Sequence, residues 1–551
     1  MDSIVKKIKM FPRYLWILLA IILLGVFLRT YNFHDWLRFN ADQSRDATLV
    51  GQVLEGKESW PMLGPKAGGT NFRLGAAFYY FQIGAAKIFG NYPDKMAYPD
   101  LFFSILSIPL LFFLLKKYFT PKMSLALTGL YTFSFYAVKY SRFAWNPNSA
   151  PFWTMLFLYA LLEIFTPPPK FPKQITAGEP NNFLVGVFDS SGQKKIWWSV
   201  AAGTAVGIGV QLHTFLLVVM PLITIGYFVY LAIKGNNLWE NFLMVFLISI
   251  FLNVPQLASE MKTGGENARA LFKGAETKKE EKSFLAKIGR NGECFMTANV
   301  FTISALGSAD KCDFLTAKNK NAAVDGILGG LLFLGGMGLG IWRLITESDG
   351  SKRRFLGLIL AYTGLLFIFM VPVAYEITLR YFLILAFLPF VLLGWWLEFL
   401  EKKIQKYGFL FCLTLIVILA GINLRSVQQN FSTLADYTQK TEMRNFDNVY
   451  LGELESISRY IVANADGQNV FLGGNSNYLF KASKSLAYLT GQSGVKLSQL
   501  NKNKNSAGAL VFYLVSTEAK DKTTRGLDAK YEFLGAESVG RFSVLKLKGQ
   551  I

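Results

Sequence analysis

Asp42 and Asp46 stand four residues apart in the segment FNADQSRDA (39–47), with Arg45 beside the second of them. On a helix this spacing sets both carboxylates on one face, and a neighbouring guanidinium can hold either carboxylate or a phosphate. A carboxylate within hydrogen-bond reach of a hydroxyl takes its proton as the oxygen attacks carbon, so Asp42, supported by Asp46, suits general-base chemistry. The plainer account makes Asp42 a helix cap, with Arg45 and Asp46 solvated.

A second group lies in KYSRFAWNPN (139–148). Lys139 and Arg142 are candidate phosphate ligands, and Tyr140 and Trp145 can stack on a sugar or anchor a membrane interface. Asn146 and Asn148 add amide hydrogen-bonders beside Pro147. His213, one of two histidines in the chain, follows an apolar run and can bind substrate or finish a helix. Arg380 is a further candidate phosphate ligand, with Glu376 as its ion partner or an acceptor-binding group. Asn267 and Arg269, in a long polar loop, carry a weaker signal.

The elements that must position these groups are membrane helices. Of the 551 residues 52% are hydrophobic and 17% charged, too few charges to cover a soluble surface of this size. Apolar runs of spanning length predict crossings near 14–32, 98–115, 123–140, 149–165, 197–213, 215–233, 239–256, 326–344, 355–373, 379–399 and 408–424. The expected fold is a polytopic α-helical membrane protein of about eleven transmembrane helices. The first span reads as a retained helix, since no small-residue cleavage site follows it.

A net charge of +20 first suggests nucleic acid. Its distribution excludes that reading. Lysine and arginine clusters before residue 14, at 116–122, at 343–354 and at 402–406 recur in alternate gaps, as the positive-inside rule requires. The N-terminus is therefore expected in the cytoplasm and the chain in a bacterial cytoplasmic membrane. Helices within about 42–90 are expected to cap the outer end of the first span, and 257–325 to form a partly mobile external loop. Strand-like runs at 469–474, 509–516 and 542–548 predict a small extracytoplasmic α/β domain over 426–551, after a transmembrane domain over 1–425. Cys294 and Cys312 share one outward loop, where a disulfide can persist; the alternative is two unrelated thiols. No Cys/His set suits a structural metal.

FNADQSRDA, YSRFAWNPN (140–148), LGPKAGGT (63–70) and QLHT (211–214) resemble the integral-membrane glycosyltransferases of the C-type (GT-C) fold. The similarity is to the bacterial group related to protein O-mannosyltransferases and the aminoarabinose transferase that modifies lipid A, over about residues 10–425. It implies that Asp42 is the catalytic base, with Gln43 where the family commonly has a second acid. It also implies a polyprenyl-phosphate sugar as donor and inverting transfer on the outer face to a protein, glycan or lipid acceptor. The wider superfamily admits a divalent cation, Mg or Mn, for which Asp42 and Asp46 alone are a poor site. Two readings compete with it: a transporter or flippase for polyprenyl-linked glycans, and a non-catalytic envelope assembly protein.

Overall fold

Length and apolarity decide which helices can cross a bilayer. The computed structural model describes residues 12–165, 191–277, 282–306, 312, 322–439, 448–465, 467, 469–500 and 508–550. Among them six helices are long and apolar enough to span: Arg13–Thr30 (α1), Tyr98–Leu115, Thr214–Ile233, Val324–Thr346, Gly350–Val373 and Leu388–Tyr437. A seventh arises if Trp239–Leu252 and Val254–Thr263, bent by 60° at their junction, count as one. The chain is polytopic, but the expected eleven crossings are overturned.

The reasons are local. The run 123–140 is interrupted at Ser134, which caps a new short helix, Phe135–Tyr140, by accepting from the Ala137 amide. The run 149–165 gives a helix, Ala150–Ile164, of 15 residues, about 22 Å long against a hydrocarbon core of roughly 30 Å. The run 379–399 opens as a 3-10 segment, Leu379–Leu385, so its α-helix begins only at Leu388. It joins 408–424 in one helical stretch, turned where Gln405 takes a φ of 57°.

Other departures follow from burial. The 72–90 run forms Ala77–Phe89, which buries Ala77, Phe78, Tyr79, Gln82, Ile83, Ala85 and Ala86 rather than lying on the surface. The stretch 257–325, expected as a loop, is helical over Glu266–Thr277 and Phe284–Ser304. The second half of the latter is buried on every face from Thr297 to Ser304, an enclosure that its interspersed Asn, Thr and Ser residues obscure in the sequence.

The C-terminal part is a five-stranded mixed sheet in the order β4-β3-β5-β7-β6. Its strands are β3 (Val470–Gly474), β4 (Leu497–Gln499), β5 (Leu510–Ser516), β6 (Tyr531–Val539) and β7 (Phe542–Gly549). β3 pairs in parallel with β4 and β5, and β7 runs antiparallel to β5 and β6. The helix before it, Gly408–Gln439, continues past residue 425. Helix Leu451–Ala463 and helix Ser476–Gln492 pack together, and the second also packs on Ala41–Leu54 (α2). The sheet domain thus sits directly against the helix that carries Asp42.

Candidate active site

Helix α2 starts at Asn40, whose backbone is extended, and Gln43 closes the first turn by accepting from the Asn40 amide at 3.1 Å. The same Gln43 side chain donates to the Ala144 carbonyl at 3.1 Å. Gln43 therefore ties the start of α2 to the 140–148 turn. Downstream, Asp42 is 59% exposed and Asp46 only 3%. Arg45 bridges them: Nη1 lies 3.2 Å from Asp42 Oδ1 and Nη2 2.8 Å from Asp46 Oδ1. The Tyr79 hydroxyl donates to Asp46 Oδ1 at 3.0 Å. Burial pushes the Asp46 carboxyl up to about 6, even with Arg45 and Tyr79 favouring its charged form. Burial is the largest single influence on Arg45 and lowers its pKa, but the charge and hydrogen bond of Asp46, with Tyr79 and Asp42, together outweigh it and the net shift is upward.

These carboxylates open onto a cavity of about 620 Å³. One wall is a β-hairpin, β1 (Leu63–Lys66) and β2 (Arg73–Gly75), whose loop supplies Gly68, Gly69 and Thr70. Gly69 has a φ of +75°, which a side chain would resist. Lys66 faces the cavity and donates to Asn71 Oδ1 at 3.0 Å. Asn267 clasps the hairpin from helix Glu266–Thr277, accepting from the Arg73 amide at 2.7 Å and donating to its carbonyl at 3.0 Å. Asn267 thus acts on the wall.

The opposite wall holds Trp145, Asn146, His213, Glu376 and Arg380. Asn146 Nδ2 donates to the Leu212 carbonyl at 2.6 Å, while its Oδ1 is buried without a partner. His213 Nδ1 accepts from the Phe215 amide at 3.3 Å, which assigns the proton of the neutral ring to Nε2. Burial, and then the charge of Arg380, lower its pKa to about 4, so at neutral pH it is an uncharged donor. Glu376 and Arg380 are exposed. The Arg380 guanidinium lies over Trp145 at 5.5 Å and makes no ion pair among the described residues.

The structure brings together Asp42, Arg45, Asp46, Trp145, Asn146, His213, Glu376 and Arg380. It places Arg142, Lys139, Tyr140 and Asn148 outside the cavity lining. Arg142 is the clearest case. Its buried guanidinium donates to the carbonyls of Leu28, Arg29, Tyr31 and Asn32 at 2.7–3.3 Å. Leu28 and Arg29 stand in the last turn of α1, whose carbonyls lack partners within the helix, and Tyr31 and Asn32 follow it. Burial lowers the Arg142 pKa to about 10. Asn148 donates to the Phe143 carbonyl at 2.8 Å within its own turn, Tyr140 stacks near Trp145, and Lys139 is half-buried and engaged elsewhere.

Sequence reasoning missed Lys66 and Asp100. The first stands within LGPKAGGT and reads there as one cation of a loop. The second is buried and accepts from the Trp145 amide at 3.0 Å, holding the turn that aims Trp145 and Asn146. Cys294 and Cys312 form a disulfide, with Cα atoms 4.6 Å apart. Cys312 Sγ lies 3.5 Å from the Ile377 carbonyl oxygen, bracing the segment that carries Glu376 and Arg380.

A divalent cation does not suit this donor set. Arg45 already occupies the space between the two aspartates. Among the described residues no three His, Cys, Asp or Glu side chains gather to hold a metal.

No family model matches the chain, and no curated protein matches it. Solved structures do. ArnT from Cupriavidus metallidurans in its apo state aligns over 97% of this chain and 97% of its own, at 11% identity and a TM-score of 0.52. The same protein bound to undecaprenyl phosphate gives 12% identity over the same shares, with a TM-score of 0.51. The archaeal oligosaccharyltransferase AglB from Archaeoglobus fulgidus, in complex with an inhibitory peptide and a dolichol-phosphate, matches at 12% identity and a TM-score of 0.52. That alignment covers 87% of this chain and 63% of AglB. This chain shares their GT-C fold. At such identity the likeness reaches the fold and no further, so the role of each side chain rests on the geometry above.

Proposed function

We propose that this protein is a membrane glycosyltransferase that moves a sugar from a polyprenyl phosphate to an acceptor hydroxyl, with Asp42 as general base. One observation carries the reading. The exposed Asp42 carboxylate, anchored through Arg45 to the buried Asp46, shares a cavity with Lys66 and Arg380, two cations without an ion pair among the described residues. The resolved undecaprenyl- and dolichol-phosphate complexes of ArnT and AglB support a lipid phosphate as the donor's carrier.

In this reaction the acceptor oxygen attacks the anomeric carbon and gives its proton to Asp42. The bond from that carbon to the phosphate oxygen breaks, and the phosphate leaves with the electron pair. Lys66 and Arg380 stabilise its charge. Direct displacement inverts the anomeric centre. His213 Nε2–H can donate to a donor oxygen, and the unpartnered Asn146 Oδ1 can accept from a sugar hydroxyl. The base lies on the outer face in this scheme, with the N-terminus in the cytoplasm.

The test is transfer of labelled sugar from a panel of polyprenyl phosphosugars by purified protein in lipid, wild type against Asp42→Asn. General-base loss is worth roughly 10²–10⁴-fold in turnover, so the variant should retain at most about a hundredth of the rate. Equal turnover would remove Asp42 as base. Movement of a lipid-linked glycan across the bilayer without transfer would instead favour a transporter.

A further inference from the structure

His34 lies between α1 and α2, and its ring touches two carboxylates from two other elements. Nδ1 is 3.2 Å from Asp94 Oδ2, on the short helix Pro93–Met96. Nε2 is 3.1 Å from Glu455 Oε2, on helix Leu451–Ala463 of the C-terminal part. The Asp94 side chain is 5% exposed, against 45% for His34 and 29% for Glu455. One residue on from His34, the Asp35 carbonyl accepts from the Gly452 amide at 3.1 Å. A Cβ added to Gly452 would stand 3.1 Å from the Asp35 Cα, so the two backbones meet closely here.

A neutral imidazole carries one N–H, so it donates to one of these carboxylates and turns a lone pair toward the other. The imidazolium donates to both, through charge-assisted bonds. Other charges at the seam do not replace it evenly. Lys95 Nζ lies 2.8 Å from Asp94 Oδ2 and 2.7 Å from the Tyr98 hydroxyl, so Asp94 keeps a cation when His34 is neutral. Glu455 makes no other ion pair among the described residues; Arg459, one turn on, donates to Ser456 Oγ at 3.0 Å. The charge of His34 therefore bears chiefly on Glu455, on the C-terminal side of the seam. Burial is the largest single influence on His34 and lowers its pKa. The hydrogen bonds and charges of Glu455 and Asp94 together outweigh it, and the net shift is upward from 6.5.

We propose that His34 is a pH-sensitive latch between the C-terminal domain and the segment that leads into the helix of Asp42, closed when the ring is charged. A base whose folded pKa exceeds its unfolded value adds stability below the unfolded value and loses it as pH rises through the folded one. The latch is therefore fully closed below about pH 6.5 and slackens above it. The backbone bonds of the seam persist, so the C-terminal domain loosens and does not depart. With His34 nearly half exposed the effect is modest, roughly threefold in the opening equilibrium of the seam. The latch goes beyond the proposed reaction and stands whether or not sugar is transferred at the cavity.

The chain has two histidines, so full-length protein in lipid, labelled in its imidazole rings, gives two sets of NMR signals, and His34→Gln shows which is His34. The His34 midpoint should lie above 6.5 and fall in Glu455→Gln. A wild-type midpoint at or below that value, or one that Glu455→Gln leaves unmoved, overturns the latch. Hydrogen exchange at the Leu451 and Gly452 amides, corrected for the intrinsic effect of pH, reads the seam itself. From about pH 5.5 to 8.5 the wild-type seam should open roughly threefold more than that of His34→Gln. His34→Arg, charged throughout, should hold the protection that the wild type shows in acid. Identical pH profiles for wild type and His34→Gln overturn the latch even where His34 titrates high, since the ring would then be charged without holding the domain.

Discussion

The side-chain amide of Asn40 is paired with the strand-like segment at Val449: its Oδ1 accepts from the Val449 amide at 3.0 Å, and its Nδ2 donates to Asn448 Oδ1 at 3.0 Å. Asn40 opens the helix of Asp42, whereas Val449 leads into the C-terminal domain. Around this pair the Phe39 amide donates to the Val449 carbonyl at 3.0 Å, the Leu451 amide to the Leu37 carbonyl at 2.9 Å, and Ser485 Oγ to the Phe39 carbonyl at 2.7 Å. The buried Arg541–Glu453 pair, 2.6 Å apart, fixes the far side of the same segment. The C-terminal domain is therefore structurally continuous with the start of the helix that carries Asp42.

Asn40→Ala should lower kcat about tenfold while donor affinity stays near wild type, because Lys66 and Arg380 stand on other elements. Two hydrogen bonds of about 1 kcal/mol each are lost, so the melting temperature should also fall. A raised KM with unchanged kcat would show that the pairing does not position Asp42.

Arg541→Ala should destabilise the protein by about 3–5 kcal/mol, since it strands a buried carboxylate. Burial already raises the Glu453 pKa against the opposing charge of Arg541, and removing that arginine raises it further. Adding Glu453→Gln should recover part of the loss, as measured by proteolysis of the C-terminal domain or by thermal unfolding.

The Asp46 carboxyl, at about 6 in the folded state, lies above its ordinary value of 3.8. The folded protein thus binds more protons than the unfolded chain between these values, and stability falls as pH rises through that window. The difference at neutral pH is on the order of 3 kcal/mol. Asp46→Asn should remove this slope. Protonating Asp46 also loosens its hold on Arg45, so the wild-type rate should show an acid limb near pH 6 that Asp46→Asn abolishes. A limb that persists in the variant would assign it to another group.

His213, at about 4, stays neutral through the physiological range. The rate should therefore carry no limb from this residue between about pH 5 and pH 8. His213→Gln, which keeps a side-chain N–H, should retain several-fold more activity than His213→Ala. Equal losses would limit His213 to capping the helix that follows it.

Much of the site was legible in the sequence because its central residues lie on one helical period. Asp42, Arg45 and Asp46 need only α2 to meet. The 140–148 turn was legible as a group but not residue by residue. A long arginine takes nearby carbonyls, and Arg142 takes those at and just past the end of α1. Lys66 and Asp100 escaped because a hairpin and a buried cap leave no periodic signal. Crossings were overcounted because hydropathy registers apolar length and not the breaks at Ser134 and ahead of Leu388. The sheet showed β3, β5 and β7 through their apolar runs. It hid the three-residue β4 and the largely exposed β6.

The Cys294–Cys312 link has a bearing on how the protein becomes competent. Both cysteines are fully buried, and thiol exchange requires an attacking thiolate to reach a sulfur. Once closed, the link is beyond the reach of dissolved reductants, so it works as a seal set during maturation and not as a valve. A chain that matured without oxidation would carry every acid and base of the site, yet its Glu376–Arg380 wall would be left unfastened. Activity in a preparation of this protein would then record where and how each molecule was made, and two samples of identical sequence could differ in the fraction able to turn over.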